Sequence, residues 1–169
     1  MPIINIVCSG TLNQSVDLEI LAQSPDIEVI YNPKKYHGAY LVIENRKITI
    51  YKSGKYIITG LKKIEDVLRF YELIRIALDG VLDVTCISSP IIQNIVIIES
   101  LNSPVNLLSV IQKNPELICE YEPEQFPGLI MKQPGGTILL FSTGKMVLTG
   151  LKSIENGEKL KAFVQGVVI

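Results

Sequence analysis

The chain repeats itself, and no other feature of its sequence limits the fold as much. Tyr31-Asn32-Pro33-Lys34-Lys35-Tyr36-His37-Gly38 stands 90 residues before Tyr121-Glu122-Pro123-Glu124-Gln125-Phe126-Pro127-Gly128. The same spacing separates Ser53-Gly54-Lys55-Tyr56-Ile57-Ile58-Thr59-Gly60-Leu61-Lys62 from Thr143-Gly144-Lys145-Met146-Val147-Leu148-Thr149-Gly150-Leu151-Lys152. Ile3-Ile4-Asn5-Ile6-Val7 matches Ile92-Gln93-Asn94-Ile95-Val96 at 89, so one residue is gained or lost before the Tyr-x-Pro segment. The 169 residues therefore divide into repeats at 1–88 and 89–169, an arrangement that implies a pseudo-twofold molecule built as a single core.

Each half reads as strand, helix, several strands, helix. Ser15 predicts an N-cap for a helix over 15–22 that stops at Pro25, and Ser103-Pro104 opens its counterpart, which closes before Pro115. Lys47 to Tyr51 alternates polar with apolar, Ser53-Gly54 supplies a turn, and Lys55 to Thr59 resumes, which predicts a hairpin. Leu61, Ile64, Val67, Leu68, Tyr71, Ile74 and Leu78 form a helical stripe over 61–78. The last helix, from Ser153 onward, is expected to be shorter and interrupted at Gly157 and Gly166. The class is α+β: helices on one face of an antiparallel sheet, whose other face is left open for a partner.

Composition narrows the chemistry. Hydrophobic residues make up 47% and charged residues 20%, which suits a packed globule rather than a disordered tail. Apolar runs such as Ile95 to Ile98 are strand-sized, and Met1 to Asn5 lacks the basic start of a signal peptide. Cys8, Cys86 and Cys119 have no metal spacing and suit a reducing interior, so an intracellular protein with no membrane partner is expected. No cofactor or metal site and no enzyme activity are expected. His37 is the single histidine, there is no glycine-rich phosphate loop, and Glu65-Asp66 falls on a solvated helix face. Sixteen basic against seventeen acidic residues leave a charge of -1. Any nucleic-acid binding must then rest on shape, apolar contact and a few well-placed lysines.

Glu120 to Ile130, followed by Leu140 to Lys152 and preceded by Gln93-Asn94-Ile95-Val96, resembles the second repeat of the TATA-binding protein core, in a divergent form of archaeal or viral type. The resemblance covers essentially the whole chain, twice. It implies a saddle: a curved antiparallel sheet whose concave face enters the DNA minor groove, with helices on the convex face. Its members bend DNA with apolar wedges, a mode of minor-groove binding for which this family is a standard example.

The site residues follow from that resemblance. Asn5 and Asn94 would reach the groove floor, where an amide donates to the acceptors of A·T pairs. Val7, Val96, Ile57 and Val147 would supply flat apolar contact, and Thr59 and Thr149 hydroxyl donors. Phe126 and Phe141 match the wedge pair of the second repeat; Tyr36 and Tyr51 hold the equivalent places in the first, where the family usually has phenylalanine. The Phe end is therefore expected to kink DNA more strongly. Lys132 stands where an arginine would bind phosphate, while its first-repeat counterpart is Val42, close to Glu44. Leu139 keeps an expected leucine that the first repeat replaces by Thr49. Lys35, Lys55 and Lys145 remain as phosphate contacts. Glu122, Glu124 and Gln125 lie on the loop that, in the family, docks transcription factor B.

The function implied is a general transcription initiation factor that binds A·T-rich double-stranded promoter DNA, bends it and recruits transcription factor B and, indirectly, the RNA polymerase machinery. It would be cytoplasmic in an archaeal or viral setting and nuclear in a eukaryote, and a homodimer would mask the underside when DNA is absent. One rival is a regulatory relative acting as a protein scaffold with weak or conditional DNA binding. Another is a saddle-shaped accessory domain of a nucleic-acid repair or processing system.

Overall fold

The computed structural model describes residues 1–169. Its compact units are Ile6–Ile92 and a second one made of Met1–Asn5 with Gln93–Ile169. The boundary between units thus differs from the repeat boundary. The first five residues leave their own repeat, and the Pro2 carbonyl accepts from the Ile98 N–H at 3.2 Å.

In the first unit β1 (Ile3–Thr11) leads to α1 (Leu18–Ala22), β2 (Glu28–Ile30), β3 (Ala39–Ile43), β4 (Arg46–Ile50), β5 (Lys55–Leu61) and α2 (Glu65–Leu78). Its strands lie in the order β2-β3-β4-β5-β1. A short 3-10 turn, Val84–Cys86, precedes β6 (Ile91–Ser100). There the second unit takes over, with α3 (Leu107–Lys113), β7 (Cys119–Glu120), β8 (Leu129–Gln133), β9 (Gly136–Leu140), β10 (Lys145–Leu151) and α4 (Ile154–Val168). Its order, β6-β10-β9-β8-β7, repeats that of the first, and every neighbouring pair inside either unit is antiparallel. The class is α+β, as the sequence implies.

Period-two alternation decides which side each strand buries. Ile6, Cys8, Leu41, Ile48, Ile50 and Ile58 are fully buried beneath α1 and α2, whose own buried residues are Leu18, Leu21, Val67, Phe70, Ile74 and Leu78. Ile95, Ile97, Met131, Ile138, Leu140 and Leu148 do the same in the second unit with Leu107, Val110, Leu160 and Val164. Burial pushes the Cys8 thiol up to about 11, so it stays protonated and serves as a small apolar side chain.

Several expected boundaries move, for local reasons. The caps are Asp17, which accepts from the Glu19 and Ile20 N–H groups, and Asn106, which accepts from Ser109. Ser15 and Ser103 lie upstream because the Val16 and Val105 N–H groups are already bonded to the Lys52 and Ser142 carbonyls. Leu61 ends β5 rather than opening a helix, so α2 begins four residues later than the stripe suggests. The last helix is not broken: α4 has 15 residues against 14 in α2. Gly157 is buried there because a Cβ would stand 2.9 Å from Ile97, so close packing outweighs its weak helical propensity.

Candidate nucleic-acid interface

The strand face turned away from the helices carries a second alternating set, half-exposed, in both units. In the first, Ile30 pairs across to Tyr40, Tyr40 to Thr49, Thr49 to Ile57 and Ile57 to Ser9. The equivalent row in the second is Glu120, Ile130, Leu139, Val147 and Ile98. A parallel row holds Glu28, Val42 and Lys47 in one unit, and Lys132, Thr137 and Thr149 in the other. No helix covers either face.

A bulge sits at the same place in each unit. Register jumps where Thr59 and Gly60 meet β1 around Val7, and where Thr149 and Gly150 meet β6 around Val96. Gly60 and Gly150 take φ of 76° and 72°, a left-handed conformation open to glycine at little cost. The irregularity frees the Gly150 N–H from the ladder, and it donates to the Asn94 Oδ1 at 2.8 Å. With its oxygen engaged, Asn94 has the Nδ2 amine left to donate. Asn5 is half-buried at the equivalent place on β1. Val7, Val96, Ile57, Val147 and Leu139 are half-exposed, and Thr59 is exposed.

At the outer end of each face two aromatic rings meet edge to face. Phe126 and Phe141 have centroids 5.7 Å apart at 67°, and Tyr36 and Tyr51 6.1 Å apart at 66°. All four are half-exposed rather than core residues. The backbone devices that hold them are duplicated. The Tyr36 and Phe126 N–H groups donate to the Asn32 and Glu122 carbonyls, and those of Gly54 and Gly144 donate to the Tyr51 and Phe141 carbonyls. Gly38 and Gly128 leave room between the rings: a Cβ would stand 3.0 Å from the Tyr36 ring in one case and 2.7 Å from the Phe126 ring in the other.

Side chains then separate the two ends. The Tyr36 and Tyr51 hydroxyls share a hydrogen bond of 2.5 Å, and this bond, with some burial, pushes Tyr51 up to about 12. Tyr36 also stacks with Tyr40 at 5.9 Å, and the Lys47 ammonium lies 5.5 Å from the Tyr40 ring. His37 packs against both tyrosine rings, beside an open pocket of about 590 Å³ lined by Tyr31, Tyr51, Lys52 and Lys55. The phenylalanine pair carries no hydroxyls, and the side chains lining the pocket beside Phe126 are Glu120, Glu122, Gln125 and Ile130.

Two residues of the face were not singled out from sequence. Lys47 alternates with Thr49 and Tyr51, which was the available signal for its position. Glu120 had none, because only the pairing of β7 with β8 brings its carboxylate within 3.3 Å of the Lys132 ammonium. Both groups of that pair are about two-thirds exposed, at 69% and 66%. Glu44, by contrast, turns to α2 and accepts two bonds of 2.9 Å from Arg69, so it is not on the open face. Glu122, Glu124 and Gln125 are exposed on the loop before Phe126, where the first unit has Asn32, Lys34 and Lys35, also exposed.

Known proteins similar to this chain in sequence and in fold point the same way. The family model described as Transcription factor TFIID (or TATA-binding protein, TBP) matches residues 1–79 and 89–165. TATA-box-binding protein C of Halobacterium salinarum is 37% identical over 175 residues, covering 98% of this chain and 96% of its own length. The TATA-box-binding protein of Pyrococcus horikoshii is 39% identical over 156 residues, covering 88% and 79%. The solved structure of Methanococcus jannaschii TBP superposes with a TM-score of 0.78 at 28% identity, over 98% of this chain and 96% of that one. With both repeats matched and the fold shared along the whole length, this chain belongs to the TATA-binding protein family of transcription factors.

Proposed function

We propose that this general transcription factor lays its two open strand faces along the minor groove of A·T-rich promoter DNA, bends it by inserting the aromatic pairs, and recruits transcription factor B and through it RNA polymerase. The observation that carries this reading is the duplicated, helix-free face, which ends in both units in a half-exposed pair of rings held by the same backbone bonds. A ring face replaces stacking lost when a base step opens, which otherwise costs a few kcal/mol. Asn94, through its amine, and Asn5 supply donors to the acceptors of A·T pairs, while Val7, Val96, Ile57 and Val147 fit a groove floor free of the guanine amino group. Thr59, Thr149 and Leu139 complete the lining. Glu122, Glu124 and Gln125 form an acidic docking loop for a basic surface of transcription factor B, and Lys34 and Lys35 exclude that surface from the other half.

Phosphate contacts are few in this reading: Lys35, Lys55, Lys145 and Lys132. The salt slope of log K should then be shallow, about -3 to -4 for four contacts. Gel-shift titration on A·T-rich, inosine·cytosine and G·C-rich duplexes tests the reading. Tight binding to the first two and weak binding to the third is expected, because inosine·cytosine pairs present an A·T-like minor groove. Equal affinity for all three overturns it.

A second reading, a protein scaffold with conditional DNA binding, is favoured by the ion pair between Lys132 and Glu120 and by Val42 at the equivalent place. It predicts a shift only when transcription factor B is added.

A further inference from the structure

At the centre of the row described above the two open faces differ in hydrogen-bonding capacity. Thr49 stands in the first unit where Leu139 stands in the second, each between two strand neighbours and each half-buried. The Thr49 methyl lies 3.1 Å from where a Cβ on Gly38 would be, so this branch of the side chain is turned to the ring pair and the hydroxyl takes the other branch. On the inner side their neighbours match, since Ile57 and Val147 are both β-branched and apolar, and on the outer side Tyr40 faces Thr49 where Ile130 faces Leu139.

In the minor groove, A·T and T·A pairs show acceptors only, whereas a G·C pair adds the guanine N2 amino donor. Pressed against a leucine, that amino group loses its water and gains no acceptor. A threonine hydroxyl accepts from it, and also donates to the N3 or O2 acceptor of an A·T pair. We propose that Thr49 makes the first repeat tolerant of a G·C pair at the base pair it covers, whereas Leu139 confines the matching position under the second repeat to A·T. This rests on the groove reading above. It implies that a lone G·C pair sets the direction of binding, since the complex forms with that pair beneath Thr49.

A palindromic A·T duplex separates the alternatives without any label on the protein. One G·C pair placed in either half is expected to weaken binding by less than about 3-fold, because the protein turns round to accommodate it. A symmetric pair of G·C substitutions cannot be accommodated, and costs about 10-fold or more. Thr49→Val removes the hydroxyl at nearly constant shape, and should make a single G·C pair as costly as two are to the parent. Leu139→Thr should make two tolerated. Inosine·cytosine in place of G·C restores binding in every case. The proposal is overturned if the doubly substituted duplex binds as well as the singly substituted one, or if Thr49→Val leaves the single substitution tolerated. Failure to bind the all-A·T and inosine duplexes overturns the groove reading itself, a distinct result.

Discussion

The two halves share their backbone and differ in their side chains. Both place a glycine in the turn after Tyr51 or Phe141, both interrupt the strand next to β1 or β6 at a Thr-Gly bulge, and both hang Tyr36 or Phe126 on a bond to the residue four before it. On that frame one end carries two tyrosines joined through their hydroxyls, the other two phenylalanines. Beneath the faces the divergence is compensated. Tyr56 lies across from Gly10, with its ring where a glycine side chain would be, and donates to the Ser88 carbonyl at 2.7 Å. The equivalent pair is Met146 across from Glu99, and there the space goes to a carboxylate that binds Lys161 at 2.9 Å and the Met1 ammonium at 3.7 Å. Duplicated backbones tolerate such drift when a large residue and a small one change together.

The largest expected effect tests the shared frame. Gly54 and Gly144 take φ of 90° and 83°, and a Cβ at either would overlap a backbone carbonyl oxygen, that of Gln14 or of Ser103. Gly54→Ala and Gly144→Ala should each destabilise by about 3 kcal/mol, to similar extents, in denaturant unfolding. A marked effect in one half alone breaks the claim that the frame is common. Next come the rings. Truncating both Phe126 and Phe141 to alanine should weaken binding to an A·T duplex about 100-fold, and truncating Tyr36 and Tyr51 about 10-fold, since stacking on a base contributes about 1–3 kcal/mol and the tyrosine hydroxyls lose water on insertion. Distance labels at the duplex ends should show the larger loss of bend in the phenylalanine variant. Equal losses would make the ends equivalent despite their chemistry.

A smaller effect belongs to the second half alone. The Lys161 ammonium, joined by the Met1 ammonium, holds the Glu99 carboxyl below its ordinary value of 4.5. A depressed folded value means stabilisation that is fully present above the unfolded pKa and lost as pH falls through the folded one. Glu99→Gln should cost about 1.5 kcal/mol at pH 7, and the gap to the parent protein should close progressively below pH of about 4.5. A gap that persists unchanged at pH of about 2 would point to shape rather than charge.

What was legible in the sequence is what repeats. The repeat offset located both hairpins and the two sets of strands, because the same local chemistry had to solve the same backbone problem twice, while the four rings were picked out by the family resemblance. Less legible was anything that depends on residues distant in the chain. Ser15 has the chemistry of a cap, yet a bond from Val16 to Lys52 holds the chain extended there until Asp17. Gly157 reads as a helix breaker until Ile97 is found against it. The transfer of Met1–Asn5 to the second unit has no local signature at all, since the repeat itself assigns them to the first.

The smallest effect concerns the one cation that distinguishes the second face at its outer strands. Lys132 has no charged equivalent in the first unit, where Val42 stands, so it should give the phenylalanine end an extra phosphate contact. Its ammonium is shared with Glu120, however, and an exposed pair of this kind contributes little to stability but must be broken, or left facing the backbone of the DNA, when a phosphate approaches. Glu120→Gln should therefore tighten binding about 2-fold at low ionic strength, leave stability unchanged, and lose its advantage as salt rises. Lys132→Val, which copies the first unit, should lower the salt slope by about one. Were Glu120→Gln to weaken binding instead, the carboxylate would be positioning Lys132 rather than competing for it, and the two ends would differ through an oriented clamp as well as through their rings.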